Sequence, residues 1–398
     1  MKRFLSLFLV VAALLCINCN AELLEEDTSF IDSSDFYTWV VPASTTALNP
    51  TAQGAILIEA ETGKVLFEKN PDEKLPIASV TKVMTLLLTM EALDGGVITL
   101  DDMVTVSENA ASMGGSQAWM EPGENLSVHE MLKAVVVSSC NDGAVALAEH
   151  LAGSEGEFVA RMNEKAKELG MTNTEFINCT GLDDDAVHYS TARDVALMSR
   201  ELLKHEKIFD YTTIWMDTIR NGAFGLNNTN KLIRFYSGAN GLKTGSTSKA
   251  KFCLSASAKR ADMQLIAVVL GSPSGAERFA DAKSLLDFGF ANYAIYIPSK
   301  LSMDRVKVRG GKEDFVGVNY TQTPLVVKKG VENKIEARVD IAKSLSAPVE
   351  RGQTIGHVSF VSDGEEIAKV PIYAKTGVEK AGVLDIFTTL ISSLFSIK

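Results

Sequence analysis

Cysteine is scarce in this chain. There are five in 398 residues, and Cys16 and Cys19 fall in a segment read below as a leader. The remaining three, Cys140, Cys179 and Cys253, are odd in number and widely spaced. That excludes a disulfide scaffold and a cysteine-based metal pattern. The five histidines are equally scattered, so neither a metal nor a cofactor is expected. Positive charge is also short, and a formal net charge of −11 argues against a nucleic-acid partner. The apolar run from Phe4 to Leu15 is too short for a confident membrane span. No internal repeat or low-complexity tract is present.

What is there begins with a leader. Lys2 and Arg3 precede the apolar run, and Cys19-Asn20-Ala21 offers small residues at its end, the pattern of a cleaved export signal over 1–21. Cys16 follows Leu15 and Cys19 follows Asn18, so neither has the small residue before it that lipidation needs. Residues 22–48 are acidic and polar and read as a flexible leader. The mature chain is thus expected outside the cytoplasm.

Residues 49–294 read as one large α/β domain. Gly54–Ile58 and Lys64–Phe67 flank Glu61-Thr62-Gly63, a hairpin signal. From Ser79 to Leu93 apolar residues fall all round a helix, which marks it as buried. Ser127-x-x-Glu130 is a capping box opening a helix that stops near Ser139, and a further helix covers 144–151. Thr191 caps a helix through Leu203, and the last helix runs over about 276–293. After Lys243 the pattern turns to strands at 252–258 and 264–270. Residues 295–374 show short alternating runs broken by glycine and charge, as in a small all-β domain. The tail, 375–398, ends in a strongly amphipathic stretch from Ala381. Such a helix either docks on the protein's own core or lies on a membrane, and Lys375, Lys380 and Lys398 favour anionic headgroups.

Three short patterns bear chemistry, and each occurs more than once. Ser-x-x-Lys is found at Ser79/Lys82, Ser246/Lys249 and Ser248/Lys251. Ser-x-Asn is found at Ser139/Asn141 and Ser107/Asn109, and Lys-Thr-Gly at Lys243–Gly245 and Lys375–Gly377. Context selects among them. Ser79 and Lys82 share one face at the start of a buried helix, where a desolvated lysine can lose its proton and take one from the serine. Ser139-Cys140-Asn141 lies in a turn between helices, so Ser139 is positioned to relay a proton and Asn141 to hold Lys82 and a substrate amide. Ser107 reads as a helix cap. Lys243-Thr244-Gly245 is expected to precede a strand, with Lys243 and Thr244 binding a substrate carboxylate and Gly245 leaving room for substrate backbone.

In chain order these three patterns match the set of the penicillin-interacting serine enzymes. The segments Lys74–Thr85, Pro122–Lys133, Asn141–His150, His188–Asp194 and Gly241–Thr247 resemble the D-alanyl-D-alanine carboxypeptidases, the low-molecular-weight penicillin-binding proteins of bacteria, over about residues 50–293. The resemblance implies a five-stranded antiparallel sheet with a helical subdomain and a cleft between them. It implies an oxyanion hole from the backbone N–H groups of Ser79 and Ser246. It further implies removal of the terminal D-alanine from peptidoglycan pentapeptide stems through a Ser79 acyl-enzyme, with β-lactams as covalent inhibitors. Three positions depart from the family pattern: Ser246 stands where His is frequent, Cys140 where Gly or Ala is usual, and Lys251 where glycine is common. Two rival readings are a β-lactamase of related fold and a non-catalytic penicillin-binding receptor or wall-binding module. A class A β-lactamase needs a glutamate with asparagine four residues on. Between Asn141 and Lys243 the nearest approach is Glu175 and Asn178, three apart.

Overall fold

The computed structural model describes residues 48–182, 187–385 and 387. The export signal and most of the acidic leader lie outside these residues, as does most of the stretch from 381 onward.

We number the elements that build the site. Strands β1 (Gly54–Glu59) and β2 (Val65–Lys69) form the expected hairpin. A 3-10 turn over Ala78–Thr81 leads into α1 (Lys82–Asp94), then α2 (Val128–Val137), α3 (Asn141–Ala152), α4 (Glu155–Glu168) and α5 (Ala192–Leu202). Strands β3 (Ala239–Thr247), β4 (Lys251–Arg260) and β5 (Met263–Ser272) and helix α6 (Gly275–Asn292) complete the domain. The sheet runs β2-β1-β5-β4-β3 with every neighbouring pair antiparallel, so β3 is an edge strand.

Both faces of this sheet are buried. Ile56, Ile58, Ile266, Val268 and Leu270 join a core with α1, α2, α3 and α5. Leu57, Leu265, Ala267 and Val269 point the other way, into a second core with Ala282, Leu285 and Leu286 of α6. Two-sided burial is why β5 reads as a continuous apolar run in the sequence instead of alternating.

Two expectations need correction. The α-helix begins at Lys82, not Ser79; the preceding turn is tightened into 3-10 form, with Val80 N–H donating to the Ile77 carbonyl (3.1 Å) and no side chain capping its start. Lys243–Gly245 does not precede a strand but sits inside β3. The reason lies in composition: Asn240, Gly241, Thr244, Gly245, Ser246 and Thr247 give this edge strand no apolar alternation. The capping box survives intact, with Ser127 Oγ accepting from Glu130 N–H (3.2 Å) and Glu130 Oε2 accepting from Ser127 N–H (3.4 Å). Lys251, at the departure from glycine, has φ of 54°, a backbone region that favours glycine.

The C-terminal part is all-β, in sheets of two, three and four strands around Val306, Val316, Val358, Phe360 and Ile372. Its strand Leu325–Lys328 pairs with Tyr293–Tyr296, which follows α6 directly. No helix among the described residues is long and apolar enough to cross a membrane.

Candidate active site

Lys82 is wholly buried, although lysine is almost never buried without partners. Its Nζ lies 3.0 Å from Ser79 Oγ, 2.6 Å from Asn141 Oδ1 and 2.8 Å from the Thr180 carbonyl oxygen. The last two are acceptors only. They engage two N–H bonds in either protonation state, so the remaining tetrahedral direction of Nζ faces Ser79. In the ammonium form that direction is a third N–H; in the amine form it is the lone pair. Burial lowers the pKa to about 8, against the smaller opposing influence of Cys179, Cys140 and Asp142. The amine form is therefore accessible near neutral pH.

Asn141 is fixed at both ends. Its Nδ2 donates to the Gly114 carbonyl (2.7 Å), which identifies Oδ1 as the atom facing Lys82, and its backbone N–H donates to the Ser116 carbonyl (2.7 Å). The neighbouring Asp142 carboxylate accepts from the backbone N–H groups of Ala118, Met120 and Gly143, pinning the 113–120 loop over the start of α3. Ser139 is buried in the turn between α2 and α3 with φ of 62°, in the left-handed region that serine seldom adopts. Strain of this kind persists where surrounding structure enforces it. Cys140 between them is buried, and desolvation pushes its thiol up to about 12, so it stays protonated in a small apolar niche.

Across the cleft, β3 brings Lys243, Thr244, Gly245 and Ser246 to the same place. Lys243 is buried, and desolvation, then Lys82, then Arg278 hold its pKa well below the usual lysine value. Its Nζ donates to the Thr244 carbonyl (3.1 Å), and Thr244 Oγ1 donates to Thr229 Oγ1 (2.7 Å). Ser246 is exposed, opposite Phe252 of β4. The structure gives Gly245 a reason different from substrate access. A Cβ there would lie 2.6 Å from the Ile77 carbonyl oxygen and 3.0 Å from Ser79 N, so glycine lets β3 close on the nucleophile's own turn.

Two contributors went unnoticed in the sequence. Arg278 projects from α6 and donates to the carbonyls of Gly245 (3.2 Å) and Cys253 (3.4 Å). Its guanidinium stacks on Phe279 and Phe252. It shares the buried face of α6 with Asp281, Ala282, Leu285, Leu286 and Gly289, and charged residues recurring in register with the apolar positions of a helix are a signal that was there to be read. Thr180 contributes only a backbone carbonyl, which leaves no side-chain trace in a sequence.

Of the sequence-selected residues, Lys82 binds Ser79 and Asn141 directly, Lys243 bears on Lys82, and Gly245 closes on the turn of Ser79; Ser139 precedes Asn141 by two residues, and Thr244 and Ser246 flank Gly245 on β3. Residues 42–274 match the family model described as D-alanyl-D-alanine carboxypeptidase. The chain belongs to this family. Residues 299–380 match a second model, penicillin-binding protein 5, C-terminal domain. The carboxypeptidase DacF of Bacillus subtilis is 46% identical over 85% of this chain and 89% of that protein. DacC of Escherichia coli is 36% identical over 83% and 85% of the respective chains. The crystal structure of penicillin binding protein 5 from Haemophilus influenzae superposes with a TM-score of 0.78 at 32% identity, covering 85% of this chain and all of that one. Membership in the carboxypeptidase family makes the chain a serine-type enzyme.

The segment carrying Thr180 packs against the nucleophile's turn at Ala78 and Thr81, whereas Gly245 meets Ile77, Ser79 and Val80. Gly181 has φ of 72°, and a Cβ there would overlap the Ala78 carbonyl. Gly181→Ala is therefore expected to lower stability by about 2 kcal/mol or more, read from urea unfolding, and to slow acylation by penicillin. A variant as stable and as fast as wild type would contradict this packing.

Proposed function

We propose that the enzyme removes the terminal D-alanine from peptidoglycan pentapeptide stems, with Ser79 as nucleophile and Lys82 as general base. The observation that carries this reading is the two-carbonyl grip on Lys82, which leaves its lone pair facing Ser79 Oγ. A neutral Lys82 accepts the hydroxyl proton as Ser79 Oγ attacks the carbonyl of the penultimate D-alanine. The backbone N–H groups of Ser79 and Ser246 stabilise the oxyanion. The proton then passes from Lys82 through Ser139 to the leaving nitrogen; the C–N bond breaks and D-alanine departs. Water hydrolyses the acyl-serine, returning a proton to Ser79 through the same groups.

The substrate's carboxylate suits the other side of the cleft. Lys82 and Arg278 both bear on the buried Lys243, and an anion at Thr244 relieves that repulsion. Asn141 keeps its place on the substrate amide as well as on Lys82. A β-lactam presents the same amide carbonyl and nearby carboxylate, so it acylates Ser79 through the same atoms. The complete set of Ser79, Lys82, Ser139, Asn141 and Lys243 favours turnover over a purely binding role.

Acylation by penicillin, followed as k2/K by stopped flow, is expected to fall tenfold per pH unit below the Lys82 pKa of about 8. The sign follows from the base: below its pKa Lys82 is an ammonium with no lone pair. Ser79→Ala abolishes covalent labelling while the protein still folds. A rate independent of pH between about 6 and 9 would remove Lys82 from the role of base.

We also assign the mature protein to the outer face of the cytoplasmic membrane, held peripherally by residues 381–398. The amphipathic pattern supports this, together with Val383 and Leu384 being 85% and 79% exposed. Deleting 381–398 should release the protein from sedimenting anionic vesicles without loss of peptidase activity. Full-length protein that stays in the supernatant would instead favour docking on its own core.

A further inference from the structure

Asn178 stood out in the sequence only as half of a failed water-activating pair, and the mechanism above makes no use of it. It lies in a stretch, residues 176–182, that has neither helix nor strand. This stretch nevertheless supplies the Thr180 carbonyl that accepts from Lys82 Nζ. In an irregular segment a carbonyl points where its tethers make it point.

The tethers come from side chains of α1, of α4 and of the segment around His188. Phe176 donates its N–H to Asn163 Oδ1 (2.9 Å) and accepts at its carbonyl from Asn163 Nδ2 (2.8 Å). Ile177 N–H donates to His188 Nδ1 (3.2 Å), and Cys179 N–H to Glu155 Oε1 (3.1 Å). Thr85 of α1 donates its hydroxyl to the Cys179 carbonyl (2.7 Å). The last turn closes on a single atom. Asn178 Oδ1 accepts from Thr180 N–H (3.1 Å), from Gly181 N–H (2.6 Å) and from the Thr180 hydroxyl (3.3 Å).

The bond from Gly181 N–H is the informative one. That N–H and the Thr180 carbonyl belong to one peptide unit, which is planar and trans, so the two groups point in opposite directions. Asn178 holds one end of this unit and Lys82 the other. The hydrogen bond at the N–H end also polarises the carbonyl into a better acceptor.

We infer that Asn178 is a positioning residue for Lys82: through the rigid Thr180–Gly181 peptide unit its amide oxygen aims the carbonyl that turns the amine's lone pair toward Ser79. This rests on the proposed role of Lys82 as base. Among the described residues, the charged and titratable groups bearing on Lys82 are Cys140 just before α3, Asp142 from α3, Lys243 from β3 and Cys179 from the loop itself. Glu155 from α4 and His188 reach the loop's other side.

Two substitutions test this, with the pH profile of penicillin acylation as the readout. Asn178→Ala removes the acceptor, and misorientation of the base is expected to slow acylation roughly 10- to 100-fold in folded protein. Asn178→Asp keeps an acceptor oxygen and adds negative charge to the loop, which favours the ammonium form of Lys82. Its acid limb is expected at higher pH than in wild type, with the rate above that limb largely retained. A residue that merely supported the fold would change the unfolding midpoint and leave the limb in place. An Asn178→Asp limb coincident with wild type, or folded Asn178→Ala as fast as wild type, would overturn the inference. Wild-type protein that penicillin does not acylate at all would overturn the function beneath it.

Discussion

The site depends on one constraint: a lysine amine buried where water cannot reach it, gripped by two oxygens that can only accept. Burial alone would merely neutralise Lys82. The grip by Asn141 Oδ1 and the Thr180 carbonyl adds direction, because an amine that donates twice has one lone pair left, and here it faces Ser79 Oγ at 3.0 Å. Neither oxygen could be replaced by a hydroxyl without loss, since a hydroxyl can reverse its role and donate. The base is thus oriented before substrate arrives, which is what lowers a barrier without reorganisation at the moment of reaction.

Keeping the amine dry requires close approach of several chain segments, and the sequence meets this with small residues at the contacts. Gly245 of β3 and Gly181 of the Thr180 loop press on the nucleophile's 3-10 turn from different sides, each where a Cβ would meet backbone atoms. Gly115 does the same beside Asn141, where a Cβ would lie 2.8 Å from Nδ2. The cost of this compactness appears as backbone held in the left-handed region at Ala78, next to the nucleophile, and at Ser139, two residues before Asn141. Such strain is stored by the α/β scaffold, whose sheet is packed on both faces.

Much of this was legible beforehand. The reactive side chains announce themselves by type and spacing: Ser79 and Lys82 three apart at the head of an all-round apolar stretch, Ser139 and Asn141 in a turn between helices. The capping box at Ser127 and the cap at Thr191 fixed helix starts because their chemistry is local. What escaped was non-local or carried by backbone. Strand β3 was missed because an edge strand lining a polar cleft has no apolar alternation. Gly245 was assigned to the substrate because only the folded structure shows the turn of Ser79 lying against it. Arg278 was overlooked because its partners, the carbonyls of Gly245 and Cys253, lie far away in the chain, and Thr180 acts through an atom common to every residue.

The charge state of Lys82 is the most direct point of contact with experiment. Lysine labelled with 15N at Nζ, followed by NMR across a pH titration and assigned by comparison with Lys82→Arg, reads that state without reference to turnover. The account predicts a Lys82 resonance that titrates with a midpoint of about 8, well below the surface lysines at about 10.4. A Lys82 that titrates together with the surface lysines would mean an ammonium facing Ser79 throughout the neutral range, and would contradict the account.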